Sequence, residues 1–422
     1  MIIFFKNSYF CASKHIAMKK ILFSTILIIN GLFAFAQAPH IYEHTYPAVT
    51  EENPQIRALM DKVSIDSLTA TIEHLSSYHT RRYDSQMIYE VQDWLFDTYQ
   101  SIGLDSVYRH DFKLQNLSIT ETGDNIIGIQ WGTKYPNEFV VCGAHYDSYN
   151  WDGYDPDTIY APGADDNATG CAGILETAKI LSRCSFDRSI LYCAWCAEEC
   201  GLLGSAAFAK DCAEQRMDIV GYFNMDMNGY LEEGSDIHVH LMYTTQDSTF
   251  ADYFYGFCHA YYPEMPIRQA WLEGGDSDYS SFNRNGYPAL HPFEDVHASS
   301  PFIHSRLDVM GVSVNNMEQS KRFAELNLGA VATLAGINNA AVEETVVQEI
   351  TVFPNPASDR INIKAEGLQN VTVYDMMGQK IVSCPASSDD FAMDVNGFKS
   401  GLYLFAVQLK NGQTATQSVI IR

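Results

Sequence analysis

Apolar residues recur at three- and four-residue spacing at Met87, Ile88, Val91, Trp94 and Leu95, which predicts a helix that Gly103 stops. A helix over 65–77 precedes it. From about Asp124 the period changes. The short apolar runs Phe139 to Ala144, Ser189 to Ala197 and Ile219 to Met225 read as buried strands. Helices are predicted over Ala168 to Leu181, Gly201 to Cys212 and Thr249 to Tyr261. Strands alternating with helices predict an α/β fold: a doubly wound, mainly parallel central sheet with helices on both faces. In such a sheet, ligands bind beyond the carboxyl ends of the strands.

A last long helix is expected from about Asn315 to Ile337, followed by a small, acidic linker over 339–348. Beyond it, residues 349–422 are short strands split by Gly, Pro and Asn, the pattern of a small C-terminal β-sandwich. The expected organisation is a leader over 1–36, a polar lead over 37–64, a catalytic domain over 65–338, the linker, and the sandwich.

The leader rests on Met18-Lys19-Lys20 and the apolar run Ile21 to Phe35, ending Ala34-Phe35-Ala36. A basic start, an apolar stretch and small residues at alternate positions are the parts of a secretory signal peptide, with translation starting at Met1 or Met18 and Gln37 first in the mature chain. The run is shorter than the roughly 20 residues a span needs, so no transmembrane segment is expected in the mature chain. The 422 residues carry 27 basic and 52 acidic side chains, a net charge of −25. With no Lys/Arg-rich stripe, that balance excludes nucleic acid as a partner. Ten cysteines in an exported chain invite a disulfide reading. Cys142, Cys193 and Cys196, however, sit in apolar β-like runs where cysteine behaves as a small hydrophobe. The pairing of any disulfide is open.

The chemistry-bearing residues fall where the strands end. Val140-Val-Cys-Gly-Ala144 runs into His145-Tyr-Asp147. A loop, Ala161-Pro-Gly-Ala-Asp-Asp-Asn-Ala-Thr-Gly170, leads into a helix. The strand ending at Ala197 meets Glu198-Glu199, the next ends at Asp226, and Phe302-Ile-His304 follows a polar loop. Taken singly, each has an ordinary explanation: a packing histidine, a helix cap, a solvated carboxylate pair. Taken together, five chain-distant sites deliver His, Asp and Glu to one sheet edge, and these are the ligand types zinc prefers.

In this order the blocks His-x-Asp, Pro-Gly-Ala-Asp-Asp-Asn-x-x-Gly, Ala-Glu-Glu-x-Gly-Leu-x-Gly-Ser, Asn-Met-Asp and Ile-His resemble the secreted bacterial co-catalytic zinc aminopeptidases, relatives of the glutaminyl cyclases, over about residues 65–338. The resemblance implies two zinc ions bridged by Asp166, with His145 and Asp226 on one side and Glu199 and His304 on the other. It implies Glu198 as general base toward a water shared by the metals, and Asp147 as the partner that orients His145. It also implies a cis peptide at Asp166–Asn167, and Met227, Phe293 and Ile303 around a pocket for a hydrophobic N-terminal residue. His291 stands where the family often has an apolar residue. Ser277-Asp278 matches the family, while Gly274 lacks its tyrosine. No Gly-x-Ser-x-Gly elbow is present, which weakens a serine-hydrolase reading.

The tail residues Phe353-Pro-Asn-Pro356, Val373-Tyr-Asp375, Gly378, Gly401-Leu-Tyr403 and Arg422 resemble the type A sorting domain of type IX secretion substrates. That implies an exported chain, secreted or held at the cell surface, with the periplasm as fallback, and partners in peptide substrates and the type IX machinery. Three alternatives stay open at this point: a glutaminyl cyclase-like acyltransferase, a carboxypeptidase, and a catalytically inactive surface-binding protein.

Overall fold

The computed structural model describes residues 38–112, 123–153, 155–273, 275–338, 350–375, 380–386, 388–410 and 414–422. The expected signal peptide, the 339–348 linker, Gly274 and Gly378 lie outside the described residues.

The lead reads as polar in sequence, yet it contributes to the core. Asn53 caps and Pro54 opens α1 (Pro54–Met60), which buries Ile56, Leu59 and Met60. Ser64 caps α2 (Ile65–Ser77), and Gly103, at φ +82°, ends α3 (Met87–Ile102). Next come β1 (Ser106–His110), β2 (Asn125–Gln130), β3 (Tyr135–His145), α4 (Thr169–Leu181), β4 (Arg188–Trp195), α5 (Leu203–Glu214) and β5 (Asp218–Asn224). The domain continues with β6 (Val239–Met242), α6 (Ser248–Tyr261), β7 (Ile267–Gln269), α7 (Tyr279–Arg284), β8 (Ala289–Phe293) and α8 (Met317–Ala335). Helix α5 starts two residues later than its apolar pattern suggests, because Gly201 and Leu202 turn the chain at φ +115° and +61°. Helix α8 is trimmed at both ends by the Asn316 cap and by Gly336 at φ +72°.

The eight strands form one sheet in the order β1-β2-β4-β3-β5-β8-β6-β7. Its centre, β4-β3-β5-β8, is parallel, whereas β1–β2, β2–β4 and β6–β8 pair antiparallel. Strands β4 and β5 flank β3 on opposite sides, so the winding changes direction around it and a crevice opens beyond its carboxyl end. Alternate residues of β3 serve opposite faces. Val140, Cys142 and Ala144 face the larger core with α2, α3, α4, α6 and α8, while Phe139 and Val141 face the smaller one with α5 and α7. Cys193 and Cys196 likewise fall in different cores, and all nine described cysteines are free thiols. No helix among the described residues is long and apolar enough to cross a membrane.

The tail holds two antiparallel sheets. One orders β13 (Asp390–Asp394), β10 (Arg360–Lys364) and β9 (Thr351–Phe353). The other orders β12 (Lys380–Pro385), β11 (Leu368–Asp375), β14 (Gly401–Leu409) and β15 (Thr414–Ile421). Their inner faces share one core, with Val352, Ile361, Ile363, Val371, Val373, Phe405 and Val419 buried between them.

Candidate metal centre

Three of the expected donors arrive from strands of the parallel centre. His145 is the last residue of β3, Glu198 and Glu199 follow β4, and Asp226 lies two residues past β5. The other two do not sit at strand ends. Asp166 lies in a tight, fully buried turn that enters α4, and His304 lies in a turn eleven residues beyond β8, at φ +52°. The Asp166–Asn167 peptide is cis.

The structure nonetheless gathers all five side chains. His145 Nε2 lies 3.2 Å from Asp166 Oδ1 and 3.3 Å from Asp226 Oδ1. His304 Nε2 lies 2.9 Å from Asp166 Oδ2 and 2.8 Å from Glu199 Oε2. The two oxygens of Asp166 are thus shared out, one to each imidazole. Glu198 stands with His145 and Asp226.

The electrostatics of this arrangement call for cations. A ring nitrogen that converges with two carboxylate oxygens cannot satisfy both with one proton, and the buried Glu199 Oε1 has no hydrogen-bond partner. Burial works against a charged His145, but Asp226, Glu198, Asp147 and Asp166 outweigh it and hold the ring protonated well above its usual range. For His304 the same contest, burial against Glu199 and Asp166, ends with the pKa pushed up to about 12. Burial raises Glu199 to about 7 and lifts Glu198 far above the carboxylate range. Two clusters, each of one imidazole and two carboxylate oxygens, with one carboxylate common to both, match zinc in donor type.

Asp147, expected as the partner that orients His145, lies against that ring: its main-chain oxygen is 3.1 Å and its Oδ1 3.5 Å from His145 Nδ1. Its carboxylate also accepts the backbone N–H of Glu198 (3.1 Å) and of Glu199 (3.3 Å). One residue therefore aligns three members of the site.

Several supports were not found from sequence. Asp308 accepts the backbone N–H groups of Asp165 (2.8 Å) and Asp166 (3.1 Å), fixing the turn that presents the shared carboxylate. Arg81, fully buried, donates to the carbonyls of Leu75, Tyr146, Pro162 and Gly163. Gly163 holds φ +53°, and a Cβ there would meet Asp166 O and Ser148 Cβ, each at 2.6 Å, so the turn closes only with glycine. Asp308 could have been noticed four residues after His304. Arg81 carries no sequence signal that separates it from a surface arginine.

A hydrogen-bond chain runs from the core to Asp226. Trp195 Nε1 donates to Tyr222 OH (2.8 Å), which donates to Asn224 Oδ1 (2.7 Å). Asn224 Nδ2 donates to Ser277 Oγ (2.8 Å), and Ser277 Oγ donates to Asp226 Oδ2 (2.7 Å). Ser277→Ala removes the last link and frees Asp226 to rotate. Zinc affinity should fall about 10- to 100-fold, with activity recovering as zinc is added back. A zinc titration of the depleted variant against wild type reads this directly.

Comparison with known proteins fits this geometry. Residues 125–328 match the family model described as Peptidase family M28. The segment belongs to that family. This M28 segment is part of a wider likeness: leucine aminopeptidase 1 of Coccidioides posadasii (strain C735) is 28% identical over 295 residues, 66% of this chain and 74% of that one. The LapA aminopeptidase of Legionella pneumophila has a similar fold, with a TM-score of 0.60 at 22% identity over 70% of this chain and 78% of that one. The glutaminyl cyclase of Fimbriiglobus ruber shares the fold at a TM-score of 0.54 and 15% identity, over 64% and 95% of the two chains. Behind the M28 segment, residues 351–422 match the secretion system C-terminal sorting domain, so the chain is a type IX secretion substrate.

Proposed function

We propose that this M28 protein is an exported zinc aminopeptidase that removes the N-terminal residue of peptides, preferring hydrophobic ones, with two zinc ions at the centre described. The observation that carries the reading is the division of Asp166 between His145 and His304. His145 and Asp226 would hold one ion, Glu199 and His304 the other, with Asp166 bridging. Bound there, zinc supplies a Lewis acid for the scissile carbonyl and lowers the pKa of water.

The chain's own residues do the rest. Glu198, anchored through its backbone on Asp147, takes the proton of the attacking water and returns it to the leaving amine. Beside the centre, Met227, Met242 and Phe293 form a buried cluster with Leu272, Tyr279, Val296 and Ile303 packed against it. That apolar patch is suited to a large hydrophobic side chain. His291 joins its wall, its ring 5.3 Å from Phe293 and its Nε2 3.2 Å from Asp226 O. Burial lowers its pKa and keeps the ring neutral, so the pocket stays uncharged there.

A panel of aminoacyl-p-nitroanilides tests the reading. Leucine and methionine substrates should be cleaved at least ~10-fold faster than alanine, since each buried methylene adds about 1–3 kcal/mol of discrimination. A chelator should abolish the activity, and zinc should restore it. Cyclisation of an N-terminal glutamine peptide, with no residue released from any substrate, would replace the aminopeptidase with a cyclase.

A further inference from the structure

A second cluster of metal-ligand side chains lies at the antiparallel end of the sheet, apart from the five donors of the centre. His238 precedes β6 and His240 lies within it, two residues on, so both rings project from one face of the strand. His240 pairs in register with Phe293 of β8, and Asp295 follows two residues beyond. His238 Nε2 is 3.2 Å from Asp295 Oδ2, and His240 Nδ1 is 3.4 Å from Asp295 Oδ1. The ring of His297 stands 5.8 Å from that of His240. Sequence reading passed over all four residues because no motif links them.

The hydrogen bonds around the cluster decide which atoms are free. His238 Nδ1 lies 2.8 Å from Asp236 O and so carries its proton there. That leaves the Nε2 lone pair facing a carboxylate oxygen, an arrangement that is repulsive unless a cation or a proton lies between them. A backbone carbonyl holding the far nitrogen is the usual way a metal-binding imidazole is oriented. Asp295 Oδ1 accepts the His297 backbone N–H at 2.8 Å, which fixes the carboxylate. His240 Nδ1 accepts the Val296 N–H at 3.0 Å, a bond that a metal would have to displace. The side chains of His238 and His240 are 17% and 10% exposed, open enough for an ion to enter.

We propose that His238, His240 and Asp295 form a separate binding site for a borderline divalent transition metal, zinc foremost, with the fourth position open to solvent beside His297. Two imidazole nitrogens and one carboxylate oxygen suit zinc, whereas calcium and magnesium favour all-oxygen sets. The site joins β6 to the segment after β8. That segment begins with Glu294, whose carboxylate accepts the backbone N–H groups of Tyr230 and Ser300 at 3.0 and 2.9 Å. An ion here would therefore clamp the segment that follows the wall of the apolar pocket.

The test is zinc content, measured by mass spectrometry after the full chain is dialysed against buffered zinc, for wild type, His238→Gln and Asp295→Asn. Wild type should hold one zinc per chain more than either variant, whatever the number held at the peptidase centre. His238→Gln should keep wild-type turnover of a leucine anilide, because its ring touches none of the five donors. Equal zinc content in wild type and His238→Gln would overturn the site, leaving the cluster as proton-bridged ion pairs. If Asp295→Asn fails to fold, the partly exposed His238 variant decides alone.

Discussion

Glu198→Gln should lower kcat toward leucine p-nitroanilide by about 10³-fold, within the roughly 10²–10⁴ that a positioned acid–base group contributes. KM, zinc content and the urea midpoint should stay at wild-type values. Glutamine keeps the size and shape of the side chain, and the Glu198 backbone N–H still reaches Asp147 Oδ1 at 3.1 Å. What is lost is the ability to take up a proton. Burial raises the Glu198 pKa, His145 opposes the rise and Glu199 reinforces it, so the carboxylate binds a proton more readily than a surface glutamate would. The neighbouring residue provides the contrast. Glu199 Oε2 lies 2.8 Å from His304 Nε2, so Glu199→Gln should cost zinc as well as rate, and added zinc should recover part of it. Turnover in Glu198→Gln within about tenfold of wild type would take the base role away from Glu198. A matching loss of zinc would make it a ligand instead.

The five side chains that converge at the candidate centre were legible because each belongs to a short motif whose spacing survives in sequence, as with His145 two before Asp147, Glu199 beside Glu198, and Asp226 after an apolar run. The parallel centre was legible for a related reason, since β3, β4 and β5 are buried on both faces and read as continuous apolar runs. The edges were not. Strand β6 has four residues, β7 is three mostly exposed ones, and β8 contains Pro292, so none shows a period that identifies a strand. Helix α1 went unnoticed because seven residues are too few for periodicity to show, although the Asn53-Pro54 start was there to be read. The supports around the site were hidden for a different reason. Asp308 and Arg81 act on backbone groups, which every residue carries, so nothing in the partner's identity reveals the contact. The His238–His240–Asp295 cluster depends on the β6–β8 pairing, which sequence reading did not reach.

Arg81→Met should destabilise the catalytic domain by about 3–5 kcal/mol, as removal of one partner from a buried charged network does. The expected drop in thermal midpoint is on the order of 10 °C. Methionine is of comparable length and fits a buried site, so volume is not the main loss. The carbonyls of Leu75, Tyr146, Pro162 and Gly163 would lose their guanidinium donors. Each buried acceptor left unpaired costs roughly 1–3 kcal/mol. Arg81 is also the internal cation facing Asp308, Asp147 and Asp166, and its loss leaves those carboxylates to repel one another. Arg109→Met is the comparison: that guanidinium pairs with Asp93 at 2.7 Å on the surface, where such pairs contribute about 0–1 kcal/mol. The two variants should also differ in their response to metal. Pro162 and Gly163 belong to the turn that presents Asp166, so releasing them loosens the shared carboxylate, and saturating zinc should return part of the stability lost in Arg81→Met. In Arg109→Met zinc should change the midpoint no more than it does in wild type. Equal midpoints for the two variants, with equal zinc responses, would mean that the buried guanidinium does not hold the turn in place.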